Sequence, residues 1–238
     1  MGTHFASYVS TSNGTSKPAA RLDIGRAETG AYRHAAGAIL FSEGDDADSV
    51  FEVVSGTLRL YKVLIDGRRQ IIGFVSGGRL LGIAPQRQYL CSAEAVTPLT
   101  VRRYKRPAFE RRIDEEPGLA RRILAELSNE LCLAQDQMLL LGRKSATEKV
   151  ASFLLSLAAG LDGDVADHID LPMGRGDIAD YLGLTVETVS RTFTKLRNDG
   201  VIALPSPNSV EILDAAQLEE TAAGATEEGG WPRKAGAW

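Results

Sequence analysis

Cysteine is almost absent: the 238 residues hold only Cys91 and Cys132, far apart and in unlike contexts. Two thiols are too few for a disulfide framework, a four-cysteine zinc site or an all-cysteine iron–sulfur cluster. Both are expected to be reduced packing residues of a cytoplasmic protein. Histidine is equally scarce, and His4, His34 and His168 read as tail, surface and loop residues rather than metal or haem ligands. No stretch approaches the ~18 consecutive apolar residues of a membrane span, so no membrane is expected among the partners. From Met1 to Lys17 no basic segment precedes an apolar run, so no secretory signal is expected. A Ser-His-Asp set, a phosphate loop ending in Lys-Ser/Thr and metal-ligand spacings are all missing, so the chain is not expected to be an enzyme. The acidic stretch Asp162-Gly-Asp-Val-Ala-Asp167 lacks the glycine and terminal glutamate of a calcium loop and reads as a solvated turn.

The composition is otherwise that of a globular protein, 44% hydrophobic and 24% charged, which excludes a fibre or wholesale disorder. The length allows one or two domains. A net charge of −4 is unpromising for nucleic acid, but Asp214, Glu219, Glu220, Glu227 and Glu228 outweigh Arg233 and Lys234 in the last segment. Everything before Asp214 is therefore close to neutral and free to carry a basic face.

The texture changes four times along the chain. Residues 1–29 begin with Ser, Thr, Gly and Ala in no periodic order and are expected to be a flexible tail. Residues 30–116 carry short β-type runs at Ala38–Phe41, Val50–Val54, Thr57–Tyr61, Gln70–Val75 and Leu99–Val101, separated by Gly37, Gly44, Gly56, Gly67 and Gly77-Gly78. Short, evenly spaced strands with glycine turns predict an antiparallel barrel or roll, with a hairpin at Asp66-Gly67. Pro117 opens a stretch that, after Gly118, holds no glycine or proline up to Gly142 and in which Leu124, Leu127, Leu131, Ala134, Met138 and Leu141 are spaced 3, 4, 3, 4, 3. That is a heptad seam. A helix of about 25 residues spans ~37 Å, more than one small barrel covers, so pairing with a second helix is preferred over packing on its own barrel. Residues 143–213 form a third unit, opened by a helix over Thr147–Ala159, and 214–238 read as a frayed acidic tail.

Within the third unit, residues 175–198 predict two short helices broken at Gly183, with Leu184 plugging the corner and Thr185 capping the second helix. Ile178, Leu182, Leu184, Val189, Phe193 and Leu196 make one apolar interior. The opposite stripe, Glu187, Ser190, Arg191 and Thr194, holds side chains of the kinds that read base edges: Arg addresses guanine O6 and N7, and Glu accepts from cytosine N4. A second helix entering the major groove N-terminus first would present Val186, Glu187, Thr188, Ser190 and Arg191 to the bases, with Arg175 and Lys195 towards the phosphates. Val201–Leu213 reads as two strands around a Pro/Asn turn, a wing beside the helices.

The run from Asp177 to Arg191, Asp-Ile-Ala-Asp-Tyr-Leu-Gly-Leu-Thr-Val-Glu-Thr-Val-Ser-Arg, closely resembles the DNA-binding helices of the CRP/FNR superfamily of bacterial transcription regulators. The Glu-x-x-Ser-Arg form of Glu187, Ser190 and Arg191 resembles its FNR and FixK branch. Gly37–Arg59 is similar to the first half of the superfamily's cyclic-nucleotide-binding β-roll. Together the resemblance covers residues 30 to 213. It implies an α+β fold: an antiparallel β-roll, a long dimerisation helix and a C-terminal winged helix-turn-helix. It also implies a homodimer that binds a TTGA-N6-TCAA type palindrome and meets RNA polymerase, as an activator of oxygen-limitation or nitrogen-fixation genes.

The sensor signatures of the superfamily are lacking. Where a cAMP-binding roll carries Gly-Glu and a phosphate-binding Arg, this chain has Gly82-Ile83 and Cys91-Ser92-Ala93. Isoleucine cannot accept ribose hydroxyl bonds and no fixed guanidinium stands at the second position; Arg79 or Arg87 would have to substitute, so cAMP is not expected to bind. Residues 1–30 hold none of the cysteines of oxygen-sensing FNR relatives, and no cofactor is expected. FixK-type regulators, which lack that cluster, are the remaining resemblance. The competing reading is a ligand- or redox-gated regulator whose roll takes a small effector that switches DNA affinity.

Overall fold

The computed structural model describes residues 30–83, 87–158 and 166–224. The expected N-terminal tail, the Asp162–Asp164 part of the acidic loop and the chain beyond 224 lie outside the described residues. Eight strands come first: β1 (Ala31–His34), β2 (Ile39–Phe41), β3 (Ser49–Ser55), β4 (Leu58–Val63), β5 (Arg69–Val75), β6 (Leu80–Leu81), β7 (Ser92–Ala95) and β8 (Leu99–Lys105). They pair antiparallel in two four-stranded sheets, β1-β8-β3-β6 and β2-β7-β4-β5. The expected runs became β2, β3, β4, β5 and β8. β1, β6 and β7 were not foreseen. β7 reads Ser-Ala-Glu-Ala, a poor strand former by propensity, and is extended because it pairs with β2 on one side and β4 on the other.

The β4–β5 hairpin turns at Asp66-Gly67 as expected. Gly67 sits at φ 82°, its N–H donates to Leu64 O at 2.9 Å, and Asp66 Oδ1 accepts from Arg68 N at 3.0 Å. Apolar faces of the two sheets meet in one layer that includes Val53, Leu58, Ala93 and Leu99. Aromatic rings join them: Phe41 stacks on Tyr89 with centroids 3.9 Å apart and on Phe51 at 5.8 Å. The Tyr89 hydroxyl donates to Ser49 O at 2.8 Å, so its one polar atom is paired inside.

Beyond the roll lie α1 (Arg106–Glu115), α2 (Pro117–Arg143), α3 (Ala146–Ala158), β9 (His168–Asp170), α4 (Arg175–Leu182), α5 (Val186–Asn198), β10 (Ile202–Ser206), β11 (Ser209–Ile212) and α6 (Ala215–Ala223). α1 replaces the β texture that the sequence continues to Ile113. Its buried Phe109 joins Tyr104, Leu119 and Ile123 in a small core between the roll and the start of α2. α2 begins at Pro117 as expected and runs one residue past Gly142. The wing has three strands, β10-β11-β9, rather than two. Ile169 of β9, from a stretch that reads as loop, pairs with Val210. None of the helices among the described residues is long and apolar enough to cross a membrane.

The segment from Asp214 departs most from expectation. Its first turns are a capped helix, not a frayed tail. Asp214 accepts from Gln217 N at 2.9 Å, and Leu218, Thr221 and Ala222 are buried on α6, with Leu218 and Ala222 in the core that includes α3. Lys144 Nζ, at the end of α2, donates to Ala222 O at 3.0 Å and to Ser152 Oγ at 2.7 Å. The apolar i, i+3, i+4 pattern of Leu218, Thr221 and Ala222 is thin and masked by Glu219 and Glu220. Leu218→Ala is expected to lower stability by about 2–5 kcal/mol, because a fully buried leucine leaves a cavity. Urea denaturation checks this, and an unchanged midpoint after truncation at Asp214 would show that α6 adds nothing to the core.

Candidate nucleic-acid interface

The corner between α4 and α5 is built by local chemistry. Gly183 takes φ 62° and ψ 41°, a left-handed conformation that glycine adopts without Cβ strain. Its N–H and that of Leu184 both return to Ala179 O. Thr185 is extended, and its hydroxyl oxygen accepts from Thr188 N at 3.2 Å, the capping bond that starts α5. Ile178, Leu182, Val189, Phe193 and Leu196 are essentially without exposure, and Leu184 packs on them partly buried. The buried side of α5 is therefore tied into the core of the C-terminal unit.

The opposite side is open. Val186, Glu187, Ser190, Arg191, Thr194 and Lys195 are exposed, in the i, i+3, i+4, i+7 arrangement expected from the sequence. Thr188 is half-buried, and its hydroxyl lies 2.9 Å from that of Thr185, so it stiffens the cap. Thr194 Oγ1 donates to Ser190 O at 2.9 Å, leaving its lone pairs outward. Lys195 and Arg197 occupy the last turn of α5, where a cation is favoured by the helix dipole.

Arg175 has a role that the sequence did not suggest. Its guanidinium carbon stands 3.5 Å from the centroid of the Phe193 ring, so it couples the first turn of α4 to the underside of α5. Nη1 is buried with no hydrogen-bond partner, and burial pushes the pKa of the group down. In this conformation the guanidinium packs on Phe193 with its unpartnered Nη1 turned inward, so Arg175 serves the α4–α5 junction.

On α2, Leu124, Leu127, Leu131 and Met138 are 41–65% exposed, and Ala134 is exposed beside them. Leu141, the last member of the expected seam, is less open than the others. It packs partly buried against the core of the C-terminal unit, with Cδ2 3.6 Å from where a Cβ on Gly183 would stand. Leu139, off the 3-4 spacing, is 61% exposed as well.

In the roll, Ile83 packs partly buried against the core of Val50, Leu80, Tyr104, Phe109, Leu119 and Ile123. Cys91 is half-buried, and burial raises its thiol pKa, which disfavours the reactive thiolate. Cys132 is exposed on α2.

Residues 33–116 match the cyclic nucleotide-binding domain family, and residues 148–221 match the Crp-like helix-turn-helix domain. The chain is 50% identical over 187 residues to the transcriptional activatory protein AadR of Rhodopseudomonas palustris, covering 77% of each chain. It is 48% identical over 189 residues to the nitrogen fixation regulation protein FixK of Bradyrhizobium diazoefficiens, covering 79% of each. The solved structure of FixK2 from Bradyrhizobium japonicum superposes with a TM-score of 0.75 at 37% identity, covering 81% of this chain and 96% of that one. The chain belongs to the CRP/FNR superfamily of helix-turn-helix transcription regulators, in its FixK branch.

Proposed function

We propose that the protein is a dimeric activator that binds a TTGA-N6-TCAA type palindrome without an effector. The observation that carries this reading is the exposed stripe Glu187, Ser190, Arg191 on a capped helix whose back is buried and whose flank is a wing. Arg191 would bond guanine with two N–H groups and Glu187 would accept from cytosine, while Val186 and Thr188 lie at the groove-entering end. Lys195 and Arg175 would hold phosphates. Leu124, Leu127, Leu131, Ala134 and Met138 would form the seam with a second copy of the chain. The acid-rich, FixK-like chain would meet RNA polymerase at promoters of oxygen-limitation or nitrogen-fixation genes.

Two features support independence from cyclic nucleotide. Phe41, Phe51 and Tyr89 stack between the sheets, and Ile83 is apolar where a ribose would need an acceptor. Selection of binding sites from random duplexes by the protein without additives tests the reading. Enrichment of the palindrome is the expected result. Calorimetry with cAMP should show no saturable heat in the micromolar range, equivalent to about −8 kcal/mol of binding. Selection that succeeds only after a small effector is added would replace this reading with that of a ligand-gated regulator.

A further inference from the structure

The roll and the reading unit of one chain are joined by a cluster of charges centred on α4. Arg59 of β4 donates through Nη1 to both carboxylate oxygens of Asp177 at 3.0 Å. Its Nε and Nη2 hold Glu94 of β7. Arg69 of β5 donates from Nη2 to Asp177 Oδ1 at 2.8 Å and from Nε to Asp180 Oδ2 at 2.9 Å. Gln70 Nε2 donates to Asp180 O at 2.7 Å, and Gln137 Nε2 of α2 donates to Tyr181 O at 3.1 Å. Beneath these bonds, Phe74 of β5 meets the Tyr181 ring at 5.5 Å, and Tyr181 meets Phe153 of α3 at 5.7 Å.

Both ends of α4 are therefore gripped, Asp177 near its start and Asp180 and Tyr181 near its finish. Two-point bonding by guanidinium groups restrains direction as well as distance. The Asp177 side chain is only 10% exposed, so releasing it from its cations would leave a largely buried charge. α5 follows α4 through a single left-handed glycine and a capped turn, so orienting α4 orients the reading stripe. None of the gripping roll side chains belongs to the reading stripe.

We propose that Arg59, Arg69 and Gln70 of the β-roll are positioning residues that set the half-site spacing the dimer accepts. The inference rests on the palindrome-binding dimer proposed above. The α2 seam would fix one roll against the other, and the charge cluster would fix each reading helix against its own roll. The span between the two reading helices is then built into the fold. Each extra base pair between half-sites adds ~3.4 Å and ~34° of rotation, a mismatch that a rigid mount resists and a loose one absorbs.

The test compares the full-length protein with the R69A/Q70A variant, which leaves Asp177 paired with Arg59, and with R69K, which keeps a cation beside Asp177 and Asp180. Affinity is measured for the selected palindrome, for spacers one base pair shorter and longer, and for one substituted base within a half-site. The native protein should prefer its own spacer by roughly tenfold or more, and R69A/Q70A by less than about threefold, the scale of coupling expected for directly bonded groups. The penalty for the substituted base should stay unchanged in both, because the stripe itself is intact. R69K should keep much of the spacer preference. An R69A/Q70A variant as selective for spacing as the native protein would overturn the clamp alone. So would loss of the base penalty together with the spacing preference, which would mark a merely structural role. A native protein indifferent to spacing would overturn the palindrome-binding dimer, and the clamp with it.

Discussion

Replacing both Leu127 and Leu131 with aspartate is expected to abolish the dimer and almost all operator binding while leaving each protomer folded. The two leucines are 41% and 60% exposed in the single chain, so little of the protomer's own packing depends on them. Across a two-helix seam they would face their counterparts, and four carboxylates would enter an apolar interface. Burying unpaired charge costs several kcal/mol or forces the helices apart. Separate protomers also lose the linkage of two half-sites, which multiplies affinity by about 10²–10⁴ when two binding events are joined. Sedimentation velocity should show a dimer before the substitutions and a monomer after, with unchanged helical circular dichroism. A native monomer, or a variant that remains dimeric, would refute the seam.

The second large effect concerns recognition itself. Arg191→Ala should cost about 1–3 kcal/mol at each half-site and relax selectivity at one base pair, since the loss falls on a two-bond contact to one base. Lys195→Ala should instead weaken every duplex alike and make the salt dependence shallower by about one unit of slope. Arg175→Ala is expected to do this and more. Its guanidinium covers the face of Phe193 at 3.5 Å, so the variant should also unfold at lower denaturant. Inserting about five base pairs between half-sites turns one of them to the far side of the duplex, since two reading helices related by a dyad need sites one turn apart. Fluorescence anisotropy on operator and random duplexes decides. Binding that survives the insertion, or an Arg191→Ala variant that loses random DNA as strongly as operator, would refute the assignment of the stripe.

Much of the reading unit was legible in the sequence because its determinants are local. Gly183 makes the corner, Thr185 caps the next helix, and the buried and exposed faces of α5 follow from 3.6-residue periodicity. The main strands of the roll were legible for the same reason: β-branched runs and glycine turns lie within a few residues of each other. Resemblance extended these fragments into an ordered fold, and the structure bears out that order from roll to long helix to winged helix-turn-helix.

Other features were decided only by tertiary structure. Ser92–Ala95 is a strand because two neighbours offer it hydrogen bonds, and nothing in Ser-Ala-Glu-Ala asks for that. Leu218 is a core residue because α3 lies against it, although its surroundings are acidic. Leu141, which its spacing assigns to the seam, is half-buried within the protomer because the C-terminal unit meets α2 there. The grip on α4 joins Arg59 to Asp177, 118 residues away, and single charges at such separation carry no periodicity. The sequence by itself determined which helix carries the exposed polar stripe and which faces are apolar, through contacts within a turn or a hairpin. Only the packed chain decided where that helix points, because a direction between two units depends on side chains that meet after both have folded.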